Sequence, residues 1–373
     1  MPEILQKDTA VRYLMQPFRK FFEDKEITEI CVNGPGGVFC EKCGKWVYTP
    51  VPALTFDYLK QLGIAVAKFA NTDFSETSPI VSAVLPGGER SQFVMPPACF
   101  DGTFSITIRK PSLHVRTMEE YLADGFFDNV QPEHALSAED RELIAMQWAY
   151  EAEKDPKKSG RLRFEFLQRA VVLGKNIIIA GETGSGKTTF MKTLMQSIPT
   201  DQRLITIEDV PELIYGLQNH KNIVNLLYPS EAKEDAVITA ASLMRSCLRM
   251  KPDRILLAEL RGGETYDFLN VCLSGHSGTI TSCHSGSCSG VFDYLNLKVM
   301  QSPTGSKLPY ETIDRLLHKV LDIIVCIHND KYYGKGRHIT EMYFAAGAQA
   351  ARKEFQASGK TLDGIVRASA ARN

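Results

Sequence analysis

Residues 176–197 impose the tightest constraint on what this chain can fold into. Asn176-Ile-Ile-Ile-Ala180 is a short β-branched run that leads straight into Gly181-Glu-Thr-Gly-Ser-Gly-Lys-Thr188. A helical stretch follows from Thr188 to Ser197 and stops before Pro199. Strand, glycine-rich loop and helix in immediate succession is the setting in which GxxxxGK[ST] binds phosphate. Gly181, Gly184 and Gly186 permit backbone angles that turn successive N–H groups inward. The helix start adds its partial positive charge. Lys187 has the reach for the β- and γ-phosphates of ATP, and the Thr188 hydroxyl suits Mg²⁺. Glu182, Thr183, Ser185 and Thr189 complete the expected contact set at 181–189.

Such a loop needs a carboxylate nearby to hold Mg²⁺ or activate water. Arg254-Ile-Leu-Leu-Ala-Glu259 delivers one to the carboxyl end of an apolar strand, where ligands of α/β sheets bind. Leu204-Ile-Thr-Ile-Glu208-Asp209 repeats the device. At least one of these strands is expected beside the strand that enters the loop, and both fit there. Glu208 and Glu259 are therefore the acidic candidates for water and metal, together with Thr188. In Gly275-His276-Ser-Gly-Thr-Ile-Thr-Ser-Cys-His284 a histidine stands at each end of a third strand. His276 and His284 are read as sensors of the γ-phosphate.

From about residue 161 strands alternate with helices, the signature of a mostly parallel sheet with crossovers. Before it, residues 1–150 read as an α+β domain. A helix is expected over 10–24, a strand-turn-strand around Asn33-Gly-Pro-Gly-Gly37, and a helix on Leu59, Leu62, Val66 and Phe69. Phe104, Ile106 and Ile108 share one face of an alternating strand, which puts Arg109 on an exposed end. The charged run 151–160, with Pro156 and Gly160, is the expected linker. Residues 161–345 make the nucleotide domain and 346–373 an Ala-rich tail.

Forty-three basic and 44 acidic residues give a net charge of -1. That balance speaks against stable nucleic-acid binding over the whole surface. The start lacks a basic region followed by an apolar one, and no apolar stretch approaches a bilayer span. These features predict a cytoplasmic protein. The nine cysteines are scattered, several in apolar runs, as in a reducing compartment. Cys40-Glu-Lys-Cys43 has metal-ligand spacing without the second pair that a zinc site needs.

The ordered blocks GETGSGKTT, TIEDVPEL, LRMKPDRILLAELRGGE and SGHSGTITSCHSGS are similar to the nucleotide-site boxes of the secretion ATPases, the hexameric motors of type II and type IV secretion and type IV pili. ITEICVNGPGGVFCE, LPGGERSQFVMPPA and FSITIRKPS resemble the amino-terminal domain of the type IV secretion branch. The resemblance implies a RecA-like nucleotide domain, a homohexamer that hydrolyses ATP with Mg²⁺, and docking on inner-membrane secretion components at the cytoplasmic face. It implies water-orienting or metal roles for Glu208 and Glu259 and a γ-phosphate-coupled role for His276 and His284. It also implies that Arg90 and Arg109 approach the phosphates when the domains close, with Arg245, Arg249 and Arg261 as further arginine candidates. A pilus-type or DNA-translocating motor is the alternative within the same chemistry. The four-cysteine element typical of the pilus and type II motors is missing.

Overall fold

The computed structural model describes residues 6–112, 115–132, 136–231 and 236–357. Six antiparallel strands form the amino-terminal sheet: β1 (Ile27–Val32), β2 (Gly37–Lys42), β3 (Lys45–Pro50), β4 (Ile80–Val84), β5 (Arg90–Val94) and β6 (Ser105–Arg109). Their order is β3-β2-β1-β6-β5-β4. One face packs Ile30, Val32, Phe93, Phe104, Ile106 and Ile108 under the helix Phe56–Phe69. Thr55 caps that helix by accepting from the Tyr58 amide at 3.2 Å, and Leu59, Leu62 and Val66 form its buried stripe. The helix expected over 10–24 is split into Thr9–Leu14 and Arg19–Glu23 by a 3₁₀ turn carrying Pro17.

The middle of this sheet's polar face is an interface, and only its end at Arg90 and Arg109 is exposed. Thr107 and Gln92 are buried against the carboxyl-terminal unit, where the Gln92 side-chain amide donates to Ser246 Oγ at 2.8 Å. Arg203, fully buried, is the central tie. Its guanidinium donates to the Met250 carbonyl at 2.9 Å and to the side-chain oxygens of Asn33 and Asn222 at 2.7 Å each. A buried cation is tolerable only when its donors are satisfied in this way.

Seven strands follow: β7 (Ile177–Gly181), β8 (Leu204–Glu208), β9 (Ile223–Leu227), β10 (Arg254–Leu257), β11 (Ile280–Cys283), β12 (Ile323–Asp330) and β13 (Gly336–Phe344). Parallel pairing gives β10-β8-β9 and β11-β7-β12, and β13 adds to β12 antiparallel. The two sets meet at β10 and β11, where the Leu260 N–H donates to the Ser282 carbonyl at 2.8 Å. The central strands are buried on both faces, which explains their unbroken apolar runs. The short β9, interrupted by Asn225, carries too little apolar pattern to be read as a strand from sequence. Here Asn225 accepts from the Thr206 hydroxyl at 2.9 Å.

Three expectations change. Neither Glu208's strand nor Glu259's adjoins β7; its neighbours are β11 and β12. Residues 151–160 are mostly helical: the helix Ala138–Ala152 ends there and Pro156–Val172 begins. Asp155 accepts from the amides of Lys157 and Lys158 at 2.8 and 3.0 Å, and Pro156 occupies the first helical position. Charge and proline thus start a helix rather than break one. Leu143, Ile144 and Tyr150 join the core of Phe166, Leu167 and β7, so the helix 138–152 packs with the carboxyl-terminal unit. Finally, the tail opens with a helix, Ala345–Ala357, and 358–373 lie outside the described residues. No described helix is long and apolar enough to cross a membrane.

Candidate active site

β7 delivers Gly181 to the carboxyl edge of the sheet, and the helix Lys187–Met195 leaves the loop from Gly186. Gly184 and Gly186 hold φ of +78° and +96°, a region that favours glycine. At Gly181 space decides: a Cβ would lie 2.3 Å from the Ile327 carbonyl oxygen. Gly186 offers the helix start no side-chain cap, so its first amides remain for an anion. The buried Ser185 hydroxyl also lacks a partner among the described residues. Glu182 and Thr183 are exposed on the loop, and on the first turn of the helix Thr188 is half-buried and Thr189 exposed.

Lys187 is folded back onto its own loop. Its ammonium donates to the carbonyls of Gly181 at 2.9 Å and Glu182 at 3.1 Å, and burial lowers its pKa. It also stands 3.4 Å from His284 Nδ1. The other ring nitrogen of His284 is 2.8 Å from Glu259 Oε1, a close approach without hydrogen-bond alignment. Arg261 Nε donates to Glu259 Oε2 at 2.6 Å, and its Nη1 donates to Asp209 Oδ2 at 2.6 Å. Burial of Asp209 works to raise its carboxyl, but the Arg261 hydrogen bond and charge outweigh it and hold the group low. A polar chain therefore runs Lys187, His284, Glu259, Arg261, Asp209 across the ends of β7, β11, β10 and β8.

Glu208 stands apart from that chain. Its Oε2 accepts from the amides of Glu212 at 2.8 Å and Leu213 at 2.9 Å, and Oε1 is buried with no partner among the described residues. Burial raises its pKa, opposed by the two amides. Of the two acidic candidates, Glu259 is the one electrostatically joined to Lys187. The donor set of Thr188, Glu259 and the open Glu208 oxygen is all hard oxygen, which fits Mg²⁺.

His276, Arg90 and Arg109 lie elsewhere. In a parallel sheet the residues before β11 and those after it occupy opposite edges, so His276 sits on the edge away from the loop. With Arg90, Arg109, Arg249, Lys251 and the buried Glu29 it lines a cavity of about 740 Å³ that contains no residue of 181–189. Arg109 Nε is 3.5 Å from Glu29, whose burial pushes its carboxyl up to about 7 against the pull of Arg109. The two histidines therefore do not share one phosphate site within a chain, and neither arginine reaches its own loop. The strand that separates the histidines carries them to opposite edges of the sheet. Arg245 instead pairs with Asp267 at 2.9 Å.

The family described as Type II/IV secretion system protein matches residues 158–361. The chain belongs to this family. The type IV secretion system protein VirB11 of Brucella abortus (strain 2308) is 53% identical over 343 residues, 91% of each chain. The type IV secretion system protein PtlH of Bordetella pertussis is 40% identical over 349 residues, covering 92% of this chain and 98% of the relative. The crystal structure of the VirB11 ATPase from the Brucella suis type IV secretion system in complex with sulphate matches with a TM-score of 0.83 at 50% identity, covering 92% of this chain and 98% of that one.

Within this family's boxes, Arg261 and Asp209 were the pair that sequence reasoning undervalued. Arg261 lies two residues past Glu259 in the same box, and that adjacency was the available signal. Arg337, on β13 beside Gly186, was missed; nothing local marks it, because β13 is separated from the loop by 149 residues of chain between Gly186 and Gly336.

Proposed function

We propose that this chain is a Mg²⁺-dependent ATPase that drives a type IV secretion system as a ring of six identical subunits. The observation that carries the reading is the Lys187–His284–Glu259–Arg261 chain at a complete phosphate loop. A triphosphate seated on the loop amides gives the Lys187 ammonium a better partner than the carbonyls of Gly181 and Glu182. Moving Lys187 then changes what His284 meets, and through it Glu259. Glu259, held at its other oxygen by Arg261, is the carboxylate positioned to orient and deprotonate the attacking water. Mg²⁺, held by Thr188 with Glu259 and the open oxygen of Glu208, would neutralise charge on the β- and γ-phosphates.

Arg90 and Arg109 are assigned to the site of a neighbouring subunit. Both face outward at the sheet edge opposite their own loop, and Arg109 is 70% exposed. An arginine supplied in this way stabilises transition-state charge. His276, beside them, would report on the same neighbouring site. The relatives VirB11 and PtlH are named as type IV secretion system proteins, which supports the secretion role; peripheral docking on inner-membrane components at the cytoplasmic face is the placement such a role calls for. The test is steady-state ATP hydrolysis together with native mass measured with and without an ATP analogue and Mg²⁺. Full activity in Lys187→Ala, or a monomer under every condition, sinks the motor.

A further inference from the structure

We propose that Arg337 is a nucleotide-contacting residue of the same chain, binding the phosphate chain from the flank of the loop opposite His284. The inference rests on the reading of 181–189 as the ATP site. β11, with His284, flanks β7 on one side; the β12–β13 hairpin flanks it on the other. The register is fixed by two pairings, Ile327 with Gly181 and Asn329 with Arg337. β12 presses close, since the Ile327 carbonyl fills the place of a Cβ on Gly181. The hairpin turn is stapled by Asp330, whose side chain accepts from the amides of Tyr332 at 2.9 Å and Tyr333 at 2.8 Å. Arg337 is therefore held by a ladder, not by a loose loop.

Its side chain lies along Gly186. A Cβ there would meet Arg337 Cδ at 3.3 Å, Nε at 3.7 Å and Nη1 at 3.9 Å. Gly186 is the residue from which the uncapped amides of the helix Lys187–Met195 begin. A phosphate held by those amides is within reach of the guanidinium. Arg261, Arg245 and Arg254 are all tied to side-chain oxygens, at 2.6, 2.9 and 2.6 Å respectively. The Arg337 guanidinium has no hydrogen-bond or ion-pair partner among the described residues, although it lies against a loop built for an anion. A planar fork with five donors suits phosphate oxygens in a way that a point charge does not. Glycine at 186 then serves twice, through its φ of +96° and through the passage its missing side chain leaves for Arg337.

Calorimetric binding of ADP and of inorganic pyrophosphate to the full chain tests this, comparing wild type with Arg337→Ala, Arg337→Gln, Arg337→Lys and Lys187→Ala. Loss of one charge-assisted contact weakens both ligands by roughly 10–100-fold in the Ala and Gln variants. The Lys variant recovers part of the loss, and the unfolding temperature without nucleotide stays unchanged. Wild-type ADP affinity in Arg337→Ala, with binding lost in Lys187→Ala, overturns the inference and leaves the ATP site standing. Weaker ADP with unchanged pyrophosphate moves the arginine to base or ribose and also overturns it. Wild-type binding in Lys187→Ala removes the ATP-site reading and this inference together.

Discussion

His284 Nε2 stands 2.8 Å from Glu259 Oε1, so the strand beside the loop strand and the next one out meet at the sheet edge. The same ring touches Lys187 on its other side. A change at the phosphate loop therefore has one imidazole to cross before it reaches the proposed water-activating carboxylate.

Glu259→Gln keeps the shape and removes the base. Its kcat is expected to fall by about 10²–10⁴-fold, the usual worth of a positioned general base, with ADP affinity retained. His284→Ala should lower kcat by roughly 10-fold or more and leave KM near wild type, since it acts through its neighbours. Single-turnover and steady-state ATPase assays read both, and an unchanged kcat in either variant removes that residue from the mechanism.

The arginines at 90 and 109 make a prediction about mixtures. Arg109→Ala alone is expected to lose about 10³-fold or more in ATPase rate. Mixed with Lys187→Ala, which has no working loop but an intact arginine, activity should return in proportion to mixed assemblies. No recovery across mixing ratios places the arginine in its own subunit's chemistry, against the sheet geometry.

Much of the site was legible because its chemistry is local. The loop needs only consecutive residues, Glu208 and Glu259 each end a strand whose apolar run announces it, and His284 ends a strand of mostly small residues. What stayed hidden depends on strand order. Whether Glu259 or Glu208 is linked to Lys187 follows from β11 standing between β7 and β10, which puts His284 between them. Arg203 was also opaque: at the start of β8 it looks like a solvated charge, yet its partners Asn33 and Met250 are brought in from the other sheet and a distant turn. Asp155-Pro156 shows the reverse problem, a local pattern that fits a linker and a helix start equally well.

Arg203→Met tests that buried tie. It removes the donor to the Asn33 side-chain oxygen at 2.7 Å, and leaves Asn222 Oδ1 with the Asn33 amide at 2.9 Å and the Met250 carbonyl with the Thr107 hydroxyl at 3.4 Å. Losing these charge-assisted hydrogen bonds costs about 1–3 kcal/mol, measurable as a lower urea midpoint. A loss below about 1 kcal/mol would mean that Arg203 is not the tie between the two units, which then rest on apolar contact and on bonds such as Gln92–Ser246.

Glu29 gives the pH dependence. Its carboxyl titrates near 7 in the folded chain, above its ordinary value of 4.5. The folded state thus holds a proton that the unfolded chain has already released, so this group's contribution is full at low pH and lost as pH rises through 7. The unfolding temperature of wild type relative to Glu29→Gln should fall between about pH 5 and pH 8. A flat difference over that window counts against the buried, raised carboxyl.

The opposite placement of loop and arginines has a consequence for assembly. With the arginines assigned to a neighbour's site as proposed, each subunit would carry a socket on one edge and its complement on the other, so contacts of this kind would be head-to-tail and never self-complementary. Two subunits joined this way complete one site and leave one gaping at each free end. Only closure satisfies every socket. Specific activity should therefore climb steeply with protein concentration and level off when rings, rather than open arcs, dominate the population.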